Sequence, residues 1–417
     1  MHPACAPPAS ERASTRNVDS SNPTRSDSSS PSTTGGRAEE RPLYFDFDTW
    51  FRILRAIVGE PFRPRRALFL WGVFLGLTLL SITNVICLAL DRILFPSFRD
   101  TPVEAPIFIV GHGRSGTTHL QRILSADAER FSFFKTWELL LPSILQHKML
   151  GLLEAFDRRV LGGFLQRHLE SGGDQALEDI RKLHDWQATG SEEDDFVLFV
   201  NWSAVNLTWL FPYTELEHLF WTDRQTPEKR RRILGVYRGM LQRLLYCREG
   251  GRIHCGKSPP FTLKMRSLLE TFPDARFIVM FRHPHEMIPS LLDLLAQYWR
   301  GMGAPESRIR SSAELLGEVQ IEQYRYATEV ADSLPREQQI IVEFRNLLAD
   351  PKKVVEEIYN RFGLEISAEF DAILDEEREA AKGFRSQHEF EPEGYGPDRE
   401  RVHRELADLF ERFGWES

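Results

Sequence analysis

A glycine-rich turn follows an apolar run in PIFIVGHGRSGTTHLQRIL, from Pro106 to Leu124. Gly111, Gly113 and Gly116 let the backbone turn tightly and bring its N–H groups against an anion. A helix expected from about Thr117 adds the partial positive charge of its N-terminus. Gly113, Arg114, Ser115, Gly116, Thr117 and Thr118 are therefore candidates to hold a phosphate or sulfate group. Gly111 and Gly116 have the spacing of the nucleoside-triphosphate pattern GxxxxGK[ST], but Thr117 fills the lysine position and the cation stands at Arg114 instead. A later apolar run, ARFIVMF, ends in Arg282 and not in an aspartate that would hold magnesium. Both departures point away from ATP or GTP hydrolysis and toward a metal-free phosphoryl or sulfuryl donor. Ser290 follows Arg282 by eight residues, beyond a helix start at Pro284. A guanidinium fork with a hydroxyl at a helix N-terminus suits a phosphate monoester, and His283 and His285 flank the same turn. Lys257, after the short segment RIHC, has a stem long enough to carry its ammonium into a pocket.

GRSGTTHLQRIL resembles the 5′-phosphosulfate loop of sulfotransferases that use 3′-phosphoadenosine-5′-phosphosulfate (PAPS). GKSPPFTLKMRSLLETFPDARFIVMFRHPHEMIPS is similar to the second block of these enzymes, both the protein-tyrosine type and the large carbohydrate and small-molecule type. TWELLLPS and two C-terminal stretches, IVEFRNLLADPKKVVEEIYNRFGL and SQHEFEPEGYGPDRERVHRELADLFERFG, resemble the latter type. The resemblance implies PAPS as co-substrate and no metal. It implies that Arg282 and Ser290 hold the 3′-phosphate, and that Arg114 and Lys257 contact the leaving and transferring oxygens. It places Glu138, in TWELLLPS, in the region of the glutamate base of tyrosine sulfotransferases. A helix cap or an ion pair with Arg114 is the alternative role for Glu138. The KxxH histidine of the cytosolic enzymes has no match here, which leaves His112, His119 and His388 as further bases.

Three apolar runs, 106–110, 275–281 and 338–344, read as buried strands with helical patterns between them, among them Pro351 to Phe362. The alternation predicts an α/β fold: a P-loop-like doubly wound parallel sheet flanked by helices. The segment 140–250 carries EEDDFVLFVNWSAVNLTWLFPY, whose apolar stretch reads as a buried strand. Its acids, Glu192 to Asp195, read as a solvated loop. Trp186, Trp202, Trp209, Phe211 and Tyr213 are either core or pocket wall. The sequons at Asn201 and Asn206 matter only if the segment faces a secretory lumen.

Upstream, residues 1–42 have the composition of a disordered tail, and 43–66 form an amphipathic or juxtamembrane segment. Ala67 to Leu90 contains no charge over twenty-four positions, enough for a transmembrane or membrane-associated helix. Arginines before it predict an N-in, C-lumenal single pass, Golgi if the cell is eukaryotic. The alternative is a monotopic helix, at the inner membrane if bacterial. Gly72 and Gly76 make a GxxxG that offers a homodimer face. Residues 100–417 form the working domain. Lys plus Arg is 52 and Asp plus Glu is 61, a net −9 that argues against a general nucleic-acid binder. The expected acceptor is a hydroxyl on a glycan, lipid or small molecule. A nucleotide kinase-like enzyme and an inactive membrane adaptor of the same fold are the other classes.

Overall fold

The computed structural model describes residues 44–160, 192–248, 251–382 and 394–416. The N-terminal tail, Trp186 and His388 lie outside these residues. Five parallel strands form one sheet in the order β2-β3-β1-β4-β5: β1 Ile107–Gly111, β2 Phe131–Ser132, β3 Ile253–Lys257, β4 Arg276–Phe281 and β5 Gln339–Glu343. The three long apolar runs became β1, β4 and β5, each within a residue of its expected limits. β1 is central and buried throughout, in register with β4 from Ile107 opposite Arg276 to Gly111 opposite Met280. Alternate side chains enter two cores: Phe108, Val110, Phe277 and Val279 on one face, Ile107, Ile109, Ile278 and Met280 on the other. Burial on both faces is why these strands are apolar without alternation.

The helices, in chain order, begin with α1 (Phe47–Gly59), α2 (Pro64–Leu94), α3 (Thr117–Ser125), α4 (Thr136–Leu140) and α5 (Ile144–Val160). After the undescribed stretch come the short α6 (Leu207–Leu210), α7 (Pro227–Tyr246), α8 (Met265–Thr271), α9 (Pro284–Gly301) and α10 (Glu306–Ser333). α11 (Phe344–Ala349) and α12 (Pro351–Phe362) follow β5, with Pro351 in the first turn of α12, where a missing N–H costs nothing.

The apolar helix α2 packs along one stripe, Leu70, Phe74, Ser81, Asn84, Leu88 and Asp91, at helical spacing. The polar members of that stripe are all engaged. Ser81 donates to the Phe199 carbonyl (3.4 Å) and accepts from Trp202 Nε1 (3.1 Å). Asn84 donates to the Leu140 carbonyl (2.8 Å) and accepts from Gln146 (2.7 Å). Asp91 pairs with Arg243 (2.9 Å) and accepts from the Ile144 and Leu145 N–H groups and from Ser143 Oγ, capping the start of α5. The stripe fastens α2 to the α/β body from end to end. Opposite it, a Cβ at Gly72 or Gly76 would meet nothing within 4 Å.

Asp194–Asn201 is a 3-10 helix and not the strand expected there. Asp194 and Asp195 are fully buried, so the solvated-loop reading of these acids is also corrected. Asn201 and Asn206 are buried as well, which makes neither sequon accessible in the folded chain.

Candidate active site

β1 delivers the glycine turn and α3 continues from it. Gly111 has φ +129°, and a Cβ there would lie 2.2 Å from the Met280 carbonyl of β4. Gly116 has φ +82° and would drive a Cβ into the Phe344 ring. Both positions require glycine. Thr262 clamps the base of the turn, accepting from Gly111 N–H and donating to Gly111 C=O, each at 2.7 Å, while Gln323 donates to the same carbonyl at 2.6 Å. Arg114, at φ +66°, is one of three described non-glycine residues in the left-handed region. That backbone costs of order 1–3 kcal/mol, and it carries the Arg114 guanidinium to Ser290, 3.3 Å from Nε to Oγ. Arg282, at the end of β4, donates to the Arg114 carbonyl at 3.2 Å. Arg114, Arg282 and Ser290, remote in sequence, therefore meet. Burial and the nearby Arg282 lower the Arg114 pKa, yet a guanidinium keeps its proton. The N-terminus of α3 has no side-chain cap, and the buried Ser115 hydroxyl in the same loop has no partner. Glu286 accepts from Arg282 Nε and Nη2 at 3.0 Å, and the donors left over at the turn, with the α3 N-terminus, suit an anion.

Beside the loop lies a cavity of about 960 Å³. Gly113, Arg114, Thr117, Thr118 and Lys257 line it, with Glu192 and Glu193. Most of the remaining wall is apolar, including Phe196, Phe199, Trp209, Leu263 and Leu295. Leu77 of α2 also faces this space. Of the aromatics in question, Trp209 is wall, whereas Trp202, Phe211 and Tyr213 are buried core.

The acids that sequence reasoning set aside organise this site. Glu193 bonds Lys257 (3.2 Å) and accepts from Asn206 (3.1 Å). Asp194 takes His254 Nε2 (2.7 Å) and the Tyr237 hydroxyl. Asp195 pairs with the buried Lys264 and accepts from Asn206 N–H (3.0 Å). Three consecutive acids thus zip onto three cations or cation precursors of IHCGKSPPFTLK. The available signal was that block's own unpaired charge, since buried lysines demand partners. Glu192 stays at the cavity, its carboxyl raised above the usual range by burial against the opposing pull of Lys257.

Glu138 does not join this group. It is buried, caps the first turn of α4 by accepting from Lys135 N–H (2.8 Å), and receives Arg248 on both oxygens (2.6 and 2.9 Å). Of the two roles left open for it, the geometry is that of the cap and ion pair, with Arg248 and not Arg114 as partner. Burial raises its pKa and Arg248 pulls it back. Glu138→Gln should cost about 1–3 kcal/mol of stability and leave turnover nearly unchanged; urea denaturation beside initial rates checks this. His112 is buried, stacked on Tyr324 at 3.7 Å, and depressed to about 3 by desolvation, which suits a neutral structural ring. His119 is half-buried on α3, and desolvation lowers its pKa.

The chain has similar proteins both by sequence and by fold. By sequence, the chain is similar to ω-hydroxy-β-dihydromenaquinone-9 sulfotransferase Stf3 of Mycobacterium bovis and of Mycobacterium tuberculosis. It is 26% identical to each over 326 residues, covering 76% of this chain and 77% of each relative. By structure, it resembles sulfotransferase STF9 of Mycobacterium avium (TM-score 0.64, 17% identity, 90% of this chain and 98% of that one). It also resembles STF1 of Mycobacterium tuberculosis (TM-score 0.63, 21% identity, 87% and 92%). These two likenesses establish a shared parallel α/β fold. The model of the sulfotransferase family matches residues 106–368, from the first strand past α12 and over more than half of the sequence; the chain belongs to that family.

Proposed function

We propose that the chain transfers the sulfuryl group of PAPS to the hydroxyl of an apolar, lipid-like acceptor. The observation that carries this reading is one cavity whose wall holds Arg114 and Lys257 with the glycine turn and is otherwise mostly apolar. The glycine turn serves as a P-loop-like phosphosulfate loop. Gly113, Ser115, Gly116, Thr117 and Thr118 supply donors to the 5′ end, while Arg282 and Ser290 hold the 3′-phosphate. The orphaned Ser115 hydroxyl and the uncapped α3 support that fit. In the reaction the acceptor oxygen forms a bond to sulfur as the bridging oxygen–sulfur bond to the 5′-phosphate breaks. Adenosine 3′,5′-bisphosphate departs, and the acceptor proton passes to a carboxylate. Glu192 is better placed than Glu138 to take it, because it lines the cavity. Arg114 and Lys257 offset charge on the transferring and leaving oxygens, and Glu193 fixes the ammonium of Lys257.

The lipid class gains support from the named activity of Stf3, which acts on a menaquinone derivative. The mycobacterial source of the relatives favours a bacterial inner membrane; the Golgi placement finds no support.

Arg282→Ala tests the donor assignment. It should weaken adenosine 3′,5′-bisphosphate by about 10–100-fold, the worth of charged hydrogen bonds, and adenosine 5′-monophosphate far less. Calorimetry with both nucleotides reads the difference, and equal losses would remove Arg282 from the 3′-phosphate site. Incubation with radiolabelled donor and fractionated lipid, glycan and protein acceptors tests the acceptor class.

A further inference from the structure

We infer that α2 lies flat in one leaflet of an anionic membrane and that the acceptor enters the cavity sideways from that leaflet, past α2. The inference rests on the proposed lipid acceptor, and it begins from the anchors on α2. Arg66 is buried near one end, donating to the Met302 carbonyl (3.2 Å) and pairing with Glu60. Asp91 is buried near the other end on Arg243. Ser81 and Asn84 hold the middle. At 1.5 Å per residue the anchored span is roughly 37 Å, longer than the hydrocarbon core of about 30 Å. A crossing helix that kept these contacts would drag Met302, Trp202, Gln146 and Arg243, with the polar body around them, into hydrocarbon. The cost of burying that many polar groups excludes it.

The outer face of α2 is apolar instead. Leu79 is 66% exposed and Ile86 55%, and Leu75 stands beside them. Exposed Leu152 and Phe156 extend the surface on α5, and Phe51 does so on α1; both helices contact α2. Arg55, Arg63 and Arg65 are exposed where α1 passes into α2, and Arg159 at the end of α5. An apolar face bordered by arginines matches an anionic leaflet: aliphatic side chains among acyl chains, guanidinium groups at the headgroups.

This face is continuous with the site. Leu77, between outward Leu75 and Leu79 in sequence, lines the cavity. The Ser81 and Asn84 bonds fasten α2 to Phe199 and Leu140, which also line it. A lipid tail in the cavity is thus separated from the bilayer by one helix, and its hydroxyl points toward Arg114 and Lys257.

The test uses the full chain and the triple variant L75E/L79E/I86E, none of whose positions lines the cavity. Flotation with phosphatidylethanolamine–phosphatidylglycerol vesicles measures docking. Sulfation of a polyprenyl alcohol embedded in those vesicles, against butan-1-ol in solution, measures entry. The inference expects the wild type to float and the variant to stay dense. It expects polyprenol turnover to fall at least about tenfold, with butanol turnover preserved as the sign of an intact fold. A variant that floats like wild type, or that sulfates embedded polyprenol at the wild-type rate, overturns it. If the triple variant loses butanol turnover too, L79E alone is put to the same measurements: lost flotation and slowed polyprenol turnover support the inference, and wild-type behaviour in either overturns it. Should the wild type sulfate neither alcohol, the proposed function fails, while flotation still decides the docking.

Discussion

Glu192→Gln should lower kcat by about 10²–10³, within the range expected for loss of a general base, while adenosine 3′,5′-bisphosphate binds as before. The amide keeps the volume of the side chain but has no basic oxygen for the acceptor proton. Glu192 shares the cavity wall with Lys257 and the glycine turn. Burial is the main cause of its raised pKa, above the ordinary 4.5, and a carboxylate displaced toward neutrality is a stronger base. Turnover needs the ionised form, so kcat should fall as pH drops through that raised pKa, and the acid limb should vanish in the variant. Single-turnover rates across pH, with nucleotide affinity measured in parallel, check both points. A variant with wild-type kcat would move the proton to another acceptor, and Glu193, whose carboxylate already holds Lys257, is next in position.

Much of the sheet and of the glycine turn was legible because their signals are local. Apolar runs gave β1, β4 and β5 their limits, the first two closed by a glycine or proline signal, and GHGRSGTT carried the turn in its own spacing. The acidic side of the cavity was not, because its determinants are pairings across sixty or more residues. EEDD looks solvated until His254, Lys257 and Lys264 arrive beside Glu193, Asp194 and Asp195. Glu138 also has a distant partner. TWELL places it three residues past Lys135, where a carboxylate caps its own helix, and Arg248 completes the ion pair. α2 shows only part of its character in composition. A charge-free run of twenty-four residues satisfies the length rule for a membrane span, while Ser81 and Asn84 within it pass unnoticed as small polar residues. Their buried hydrogen bonds show that one face of the helix belongs to the protein.

Asp91→Ala should be severely destabilising although it lies outside the cavity, at about 3–5 kcal/mol, the usual consequence of breaking a buried ion pair from one side. The carboxylate is fully buried and holds Arg243, Ser143 and the backbone at the start of α5. Its loss takes away the negative charge against which the buried Arg243 guanidinium is set. It also uncaps α5 at the Ile144 and Leu145 N–H groups, a further cost of about 1 kcal/mol. Asp91→Asn retains part of the hydrogen bonding and should cost less, which separates charge from shape. The consequence reaches the chemistry because α2 is a cavity wall through Leu77. Loosening its anchored end should raise KM for a long-chain alcohol more than for butan-1-ol, since only the long chain needs the wall. Urea unfolding followed by tryptophan fluorescence gives the stability loss, and the KM ratio of the two alcohols gives the functional one. A stable Asp91→Ala protein with an unchanged ratio would show that α2 rides on the catalytic body without shaping its site.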